Sequence, residues 1–295
     1  MTTIHEPVLL QEILDGLNPQ TNQNYVDCTF GGGGHSLAIL EKVKPSGQVI
    51  GIDWDPTVVQ NSQNENLILV NDNYRNLKKI INGLGISKIN GILLDLGLSS
   101  DQLGSGARGF SFQSEGFLDL RYDPKSDRPT AADILRTYSE KELLEIFKNY
   151  GEEPLAWQIT KKIITQREQG EFIETADMLV QLVSDEYRKK YRSRSKHNPA
   201  TRVFQALRIA VNDEFGNIKN VLPDAVNLLA AGGRLAVISF HSGEDRIVKH
   251  FFKKEAIKEE PKIKIITKKP IIASENEIKM NPRSRSAKLR IIEKI

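Results

Sequence analysis

The chain has 295 residues, 39% of them hydrophobic and 27% charged, with a formal net charge of +3. That length holds one large domain or two ordinary ones, and a charge so near balance excludes a uniformly basic nucleic-acid coat. No apolar run reaches the roughly 18 residues of a membrane span. The start, M-T-T-I-H-E-P-V, lacks the pattern of a signal peptide, and the single cysteine, Cys28, excludes an internal disulfide or a cysteine metal cage. A soluble protein of a reducing, cytoplasmic compartment is expected.

In chain order, His5 to Leu17 predicts a lead-in segment and a helix with Pro7 in its first turn. Tyr25 to Phe30 is a short apolar run, the pattern of a buried strand. Gly31 to Gly34 follow at once, and His35 to Val43 has helical spacing. Strand, glycine turn and helix open a nucleotide-type α/β domain. Glycine lets the backbone approach a ligand and accepts positive φ. A second strand, Gln48 to Asp53, ends in an acid about 20 residues after the loop, the spacing at which a carboxylate receives ribose hydroxyls. Leu67 to Asn71 and Asn90 to Leu96 predict two more strands, the latter ending near Asp95. Four such units predict a parallel sheet.

From Gly97 to Gly116 the chain is rich in Gly and Ser and has no period, as in a functional or mobile loop. Helices are expected over Tyr138 to Tyr150, where Ser139 and Glu142 have capping-box spacing, and over Pro154 to Arg167 and Thr175 to Tyr191. No strand pattern occurs between Leu120 and Lys196, so this stretch reads as a helical insertion. Thr201 to Phe215 is helical. Ile218 to Ala231 is a further helix interrupted at Pro223 and stopped by Gly232 and Gly233. Arg234 to Phe240 is a fifth strand, and Lys262 to Thr267 with Lys288 to Glu293 predict an antiparallel edge hairpin.

The loop selects among ligands. A Walker loop would end in Gly-Lys-Ser/Thr, whereas His35 and Ser36 follow Gly34; a dinucleotide loop would place Gly or Ala where Ser36 stands. Asp27, just before the loop, suits a cation better than a pyrophosphate. S-adenosylmethionine has that chemistry: an ammonium, a sulfonium and no phosphate. Asp95 is a candidate to fix an amine of the ligand, Tyr74 to stack on adenine, and His241 to reach the site from the fifth strand. The alternatives are a helix-cap aspartate, a packed tyrosine and a loop histidine bonded to backbone. The five histidines lack metal-ligand spacing, so no metal is expected.

Two basic tracts suggest nucleic acid. One runs from Arg188 to Arg208 and holds Arg188, Lys189, Arg192, Arg194 and Arg202, with Tyr187 and Tyr191 among them. The other runs from Lys279 to Arg290, with Arg283, Arg285 and no acid. Phosphate contacts would supply affinity and aromatic rings would hold bases. Arg108, Phe110 and Phe112, in R-G-F-S-F, offer one guanidinium and two aromatic planes for a base, or else an ordinary packed loop.

The chain resembles the bacterial small-subunit ribosomal RNA cytosine-N4 methyltransferases, the ribosomal RNA small subunit methyltransferase H family. The likeness is carried by H-E-P-V-L-L-Q-E from His5, Y-V-D-C-T-F-G-G-G-G-H-S from Tyr25, G-I-D-W-D-P from Gly51, G-I-L-L-D-L-G-L-S-S-D-Q-L from Gly91, R-G-F-S-F from Arg108, P-A-T-R-V-F-Q-A-L-R-I-A-V-N-D-E from Pro199, G-G-R-L-A-V-I-S-F-H-S-G-E-D-R from Gly232 and N-P-R-S-R-S-A-K-L-R from Asn281. The resemblance implies a class I S-adenosylmethionine-dependent methyltransferase fold: a Rossmann-like, mainly parallel sheet over residues 1–104 and 205–295, with an all-helical domain inserted at 105–204 as the RNA-recognition element. It implies methylation of the N4 amino group of a cytidine in the decoding region, with cofactor contacts at Gly33, Gly34, His35, Asp53, Tyr74, Asp95 and Gln102. The implied partner is small-subunit RNA within an assembled subunit, with a second copy of the chain compatible as a homodimer partner and no membrane. The chain departs from the family pattern at Tyr74 (commonly Phe), at Gly243 (usually Leu) and over Gly116 to Asp123. Asp95 and His241 are the candidates for assisting the amine; no general base is assigned. A nicotinamide-dependent oxidoreductase, a non-enzymatic RNA-binding assembly factor and a methyltransferase of DNA or of a small molecule are the competing readings.

Overall fold

A computed structural model describes residues 7–58, 64–97, 108–110, 116–191 and 198–295. The chain divides into two compact units, Met1–Ser99 with Phe215–Ile295, and Ser100–Glu214.

The first unit is built on a seven-stranded sheet. Its strands are β1 (Tyr25–Asp27), β2 (Val49–Asp53), β3 (Leu67–Asn71), β4 (Ile89–Asp95), β5 (Leu229–Ser239), β6 (Ile263–Ile265) and β7 (Lys288–Lys294). The order is β3-β2-β1-β4-β5-β7-β6. The first five strands run parallel, and β7 lies antiparallel to both β5 and β6. Period-two alternation sends side chains to opposite faces. Ile50, Ile52, Ile92, Leu94, Leu235 and Val237 meet the helices Leu77–Gly83 (α3), Glu214–Leu228 (α9) and Ser242–Ala256 (α10) on one face. Tyr25, Val49, Leu93, Ala236 and Ile238 meet Leu10–Leu17 (α1) and Gly34–Val43 (α2) on the other. Helices on both faces of a mostly parallel sheet make this the doubly wound α/β class. The strand order reverses between β1 and β4, where such sheets open a ligand crevice at their carboxyl ends.

Three elements differ from the sequence expectation. Leu10 opens α1 after Leu9, whose φ of 54° is left-handed, so Pro7 lies ahead of the helix and not in its first turn. The α9 helix ends at Leu228, because Leu229 already pairs with Ile89. The next four residues loop out and pairing resumes at Arg234 opposite Gly91, so Gly232 and Gly233 lie in an interruption of β5 and do not stop a helix. The β6–β7 pair is antiparallel, as expected, but it is not an edge hairpin. Its β7 strand is internal, and the intervening chain carries the helix Glu275–Met280 (α11).

The second unit is helical: Ala131–Thr137 (α4), Glu140–Asn149 (α5), Ala156–Glu168 (α6), Ala176–Tyr191 (α7) and Thr201–Asn212 (α8). Both α4 and α5 begin with complete capping boxes, Thr130 with Asp133 and Ser139 with Glu142. Each box satisfies two backbone donors that a helix start leaves open. The unit ends at 214 and not at 204, because α8 packs on α4 and α5.

Candidate functional site

The carboxyl ends of β1, β2 and β4 carry a group of acids tied to the glycine loop. Gly31 (φ 50°) and Gly33 (φ 77°) both take the left-handed conformation that glycine tolerates. A Cβ on Gly33 would lie 2.8 Å from the Phe30 ring, so the turn admits no side chain. Gly33 occupies the N-cap of α2, and Gly34, His35 and Ser36 form its first turn. The backbone N–H groups of a first turn have no intrahelical acceptor and face an incoming anion.

Asp27 is buried beneath this turn. Its Oδ2 accepts from Ser36 Oγ at 2.7 Å, and its Oδ1 accepts from the Thr29 backbone N–H at 3.1 Å. Burial pushes its carboxyl up, opposed by the nearby His35 and by the Ser36 and Thr29 hydrogen bonds. Thr29 then reaches across the switch point: its Oγ1 accepts the Asp95 backbone N–H at 2.7 Å. Asp53, at the end of β2, accepts the Gly31 N–H at 2.9 Å on Oδ2 and the Asp55 N–H at 2.9 Å on Oδ1. Burial lifts Asp53 to about 6, against those two hydrogen bonds.

Asp95 is the least satisfied member. Its side chain is 19% exposed, its Oδ2 lies 3.8 Å from His35 Nδ1, and its Oδ1 is buried with no hydrogen-bond partner among the described residues. Burial lifts it to about 6; His35 opposes that, and Asp27 and Glu244 reinforce it. A carboxylate in this condition calls for a cationic donor.

The remaining expected residues fall as follows. Tyr74 follows β3 in a short helical turn and packs, partly buried, against the sheet core. His241 is the N-cap of α10. Its Nδ1 accepts the Glu244 N–H at 3.4 Å, while Glu244 Oε2 accepts the N–H groups of Phe240 and His241 at 2.8 and 3.3 Å. The backbone-bonded alternative thus describes its Nδ1, while Nε2 lies 3.1 Å from Glu244 Oε1. At Gly243 a Cβ would meet the Phe215 ring at 2.5 Å; that ring lies 5.7 Å from the His241 ring and fills the space. Gln102, Phe112, Arg192 and Arg194 lie outside the described residues.

Of the two readings of Phe110, the packed loop describes its contacts. Its ring is 5% exposed and stacks on Tyr122 at 6.0 Å, with the Arg108 guanidinium 5.4 Å from its centroid and Arg108 Nη1 donating to the Tyr122 carbonyl. Phe110 is core packing in the helical unit. Arg188 and Lys189 are exposed but pair with Asp185 and Glu186 one turn earlier on α7. Arg202 is exposed and donates to the Glu152 carbonyl at 3.3 Å. Arg283 and Arg285 are exposed. Arg290, from the same tract, is buried in a bidentate pair with Asp245, at 2.6 and 3.2 Å. An acid from α10 therefore neutralises part of a tract that contains none. Thr29, Ser36 and the Val8 carbonyl, 2.9 Å from His35 Nε2, were missed as site groups; the nearest signal was the Y-V-D-C-T-F-G-G-G-G-H-S run that holds the first two.

The profile of the MraW methylase family matches residues 2–295. A protein of Thermomicrobium roseum named ribosomal RNA small subunit methyltransferase H is 47% identical, over 100% of this chain and 95% of the relative. Proteins of the same name from Carboxydothermus hydrogenoformans and Heliobacterium mobile are 42% and 45% identical, over 99% of this chain and 98% and 99% of theirs. On the length and degree of that match, with the site on a doubly wound sheet, the chain belongs to the MraW methylase family.

Proposed function

We propose that the protein transfers a methyl group from S-adenosylmethionine to the exocyclic N4 of a cytidine in the decoding region of small-subunit ribosomal RNA. Family membership supports the methyl transfer and the ribosomal RNA substrate. The observation that carries the site assignment is the unsatisfied Asp95 carboxyl among acids whose charge disfavours a phosphate. The fit is specific. Asp95 receives the α-ammonium, the first turn of α2 at Gly33, Gly34 and His35 receives the α-carboxylate, and Asp53 receives the ribose hydroxyls. Tyr74 borders the adenine, with Gln102 a further contact.

When bound, the cofactor supplies an electrophilic methyl on a good sulfonium leaving group. The chain's own task is to hold the cytosine amine in line with it, since the amine lone pair is delocalised into the ring. Positioning supplies most of the rate. Asp95, at the end of β4, is the candidate to accept an N4 hydrogen bond; His241, just past β5, already accepts the Glu244 N–H on Nδ1 and is the weaker candidate; neither is assigned as a base. A base stacked in RNA is either unpaired beforehand or flipped. The helical unit serves as the RNA-recognition element, with Arg188, Lys189, Arg192, Arg194 and Arg202, while Arg283 and Arg285 contact phosphates from the sheet-bearing unit. The assembled small subunit is the substrate, and a second copy of the chain is compatible as a partner.

Labelled S-adenosylmethionine tests this on intact small subunits, naked small-subunit RNA and DNA. Label at N4 of one decoding-region cytidine, on subunits and not on naked RNA, is the expected result. Label on naked RNA alone overturns the assembled-subunit reading. Cofactor binding without transfer to any of them overturns the activity and favours an assembly factor.

A further inference from the structure

Three separate parts of the sheet-bearing unit converge on one imidazole. Pro7, Val8 and Leu9 run ahead of α1 and are firmly held. Leu9 is wholly buried in a left-handed conformation; its N–H donates to Glu277 Oε1 at 2.8 Å, and its carbonyl accepts from Ile13 at 2.9 Å. The left-handed region is unfavourable for a leucine, so its surroundings over-determine this path. The Pro7 ring stands over the glycine loop: a Cβ on Gly34 would come within 3.1 Å of it. The Val8 carbonyl lies 2.9 Å from His35 Nε2. A carbonyl only accepts, so Nε2 carries the hydrogen, and this sets the ring with its Nδ1 edge 3.8 Å from Asp95 Oδ2, a packing contact too long for a hydrogen bond. His35 is itself 6% exposed and has no freedom to turn away. The other charged groups that face Asp95 are Asp27 and Glu244.

We infer that Pro7 and Val8 form a strap that belongs to the methyl donor's site and acts through His35 as a positioning residue: the Val8 carbonyl orients the imidazole, and the imidazole, packed against the Asp95 carboxyl, limits where that acceptor of the donor's ammonium can turn. The inference rests on the cofactor reading above. It separates two halves of one ligand: the amino-acid end depends on the strap, and the adenosine end does not.

Calorimetric binding of S-adenosylhomocysteine and of 5′-methylthioadenosine, which lacks the amino-acid end, tests this on the full chain. His35→Phe keeps the ring volume and removes the N–H. It should weaken S-adenosylhomocysteine about ten-fold and leave methylthioadenosine unchanged. His35→Gln, whose amide N–H reaches a carbonyl, should restore binding to within about three-fold. In an Asp95→Asn background the His35→Phe effect should vanish. Should His35→Phe not fold, Pro7→Gly, which loosens the strap alone, carries the same ligand-selective expectation. Equal weakening of both ligands, unchanged homocysteine binding, or full additivity with Asp95→Asn overturns the inference. Failure of the wild-type chain to bind either ligand overturns the cofactor reading instead.

Discussion

Asp95 and Asp53 sit near 6 because burial penalises their charged forms. An acid whose folded value exceeds its unfolded one binds its proton first in the folded state. These two groups therefore add folding stability as pH falls from about 7 toward 4. Ammonium binding needs the ionised carboxylate and runs the other way. The dissociation constant of S-adenosylhomocysteine should rise about ten-fold between pH 7 and pH 5 from Asp95 alone. Asp95→Asn should bind weakly at both pH values and flatten that profile; a flat profile in the wild type removes Asp95 from the ammonium site. Both acids were legible in the sequence because each ends a strand beside a glycine-type loop. Thr29 and Ser36 were not, since a small polar residue in a turn looks the same whether or not it carries a network. The Val8 carbonyl has no sequence signature at all. The sequence left Phe110 open between an exposed plane and a packed loop, because its burial depends on Tyr122, twelve residues on, taking the position that stacks it.

At the scale of elements, the glycines and caps that shape the site make separable contributions. Gly91 in β4 has the Tyr25 ring where a Cβ would stand, 2.3 Å away. Tyr25 is fully buried, so Gly91→Ala should destabilise the chain by about 1–3 kcal/mol through overpacking, measured by urea unfolding. Ser139→Ala removes one capping box at the start of α5 and should cost about 1 kcal/mol with cofactor affinity unchanged. That box was readable from Ser139 and Glu142 alone. The α10 helix was not foreseen, because its cap is a histidine and the propensity rules expect Ser, Thr, Asp or Asn there. His241 and Glu244 nonetheless stand at capping-box spacing, and the reciprocal hydrogen bonds follow. Gly232 and Gly233 misled for the opposite reason. Two glycines after a helical pattern usually mark its end, but the strand had already begun and they serve its irregular register.

For the whole molecule, a net charge of +3 makes binding to ribosomal RNA depend on where cations are placed. Affinity for a single-stranded decoding-region fragment should fall with salt, with a log–log slope near −0.7 per phosphate contacted. Arg283→Ala with Arg285→Ala should reduce that slope by about 1.4, whereas Arg290→Ala should act on stability, because Arg290 is committed to Asp245. An unchanged slope in the double variant removes the second tract from the interface. Charge runs were legible, but their division into exposed and buried members was not, since Asp245 lies 45 residues from Arg290 in the chain and only the fold joins them. The sheet order has a consequence for biogenesis. The strand between β5 and β6 is β7, the last of the seven to be synthesised. Until it leaves the exit tunnel, β5 presents an apolar open edge, the template for pairing with another nascent chain. A message broken before Lys288 therefore yields a sticky fragment and not a smaller enzyme.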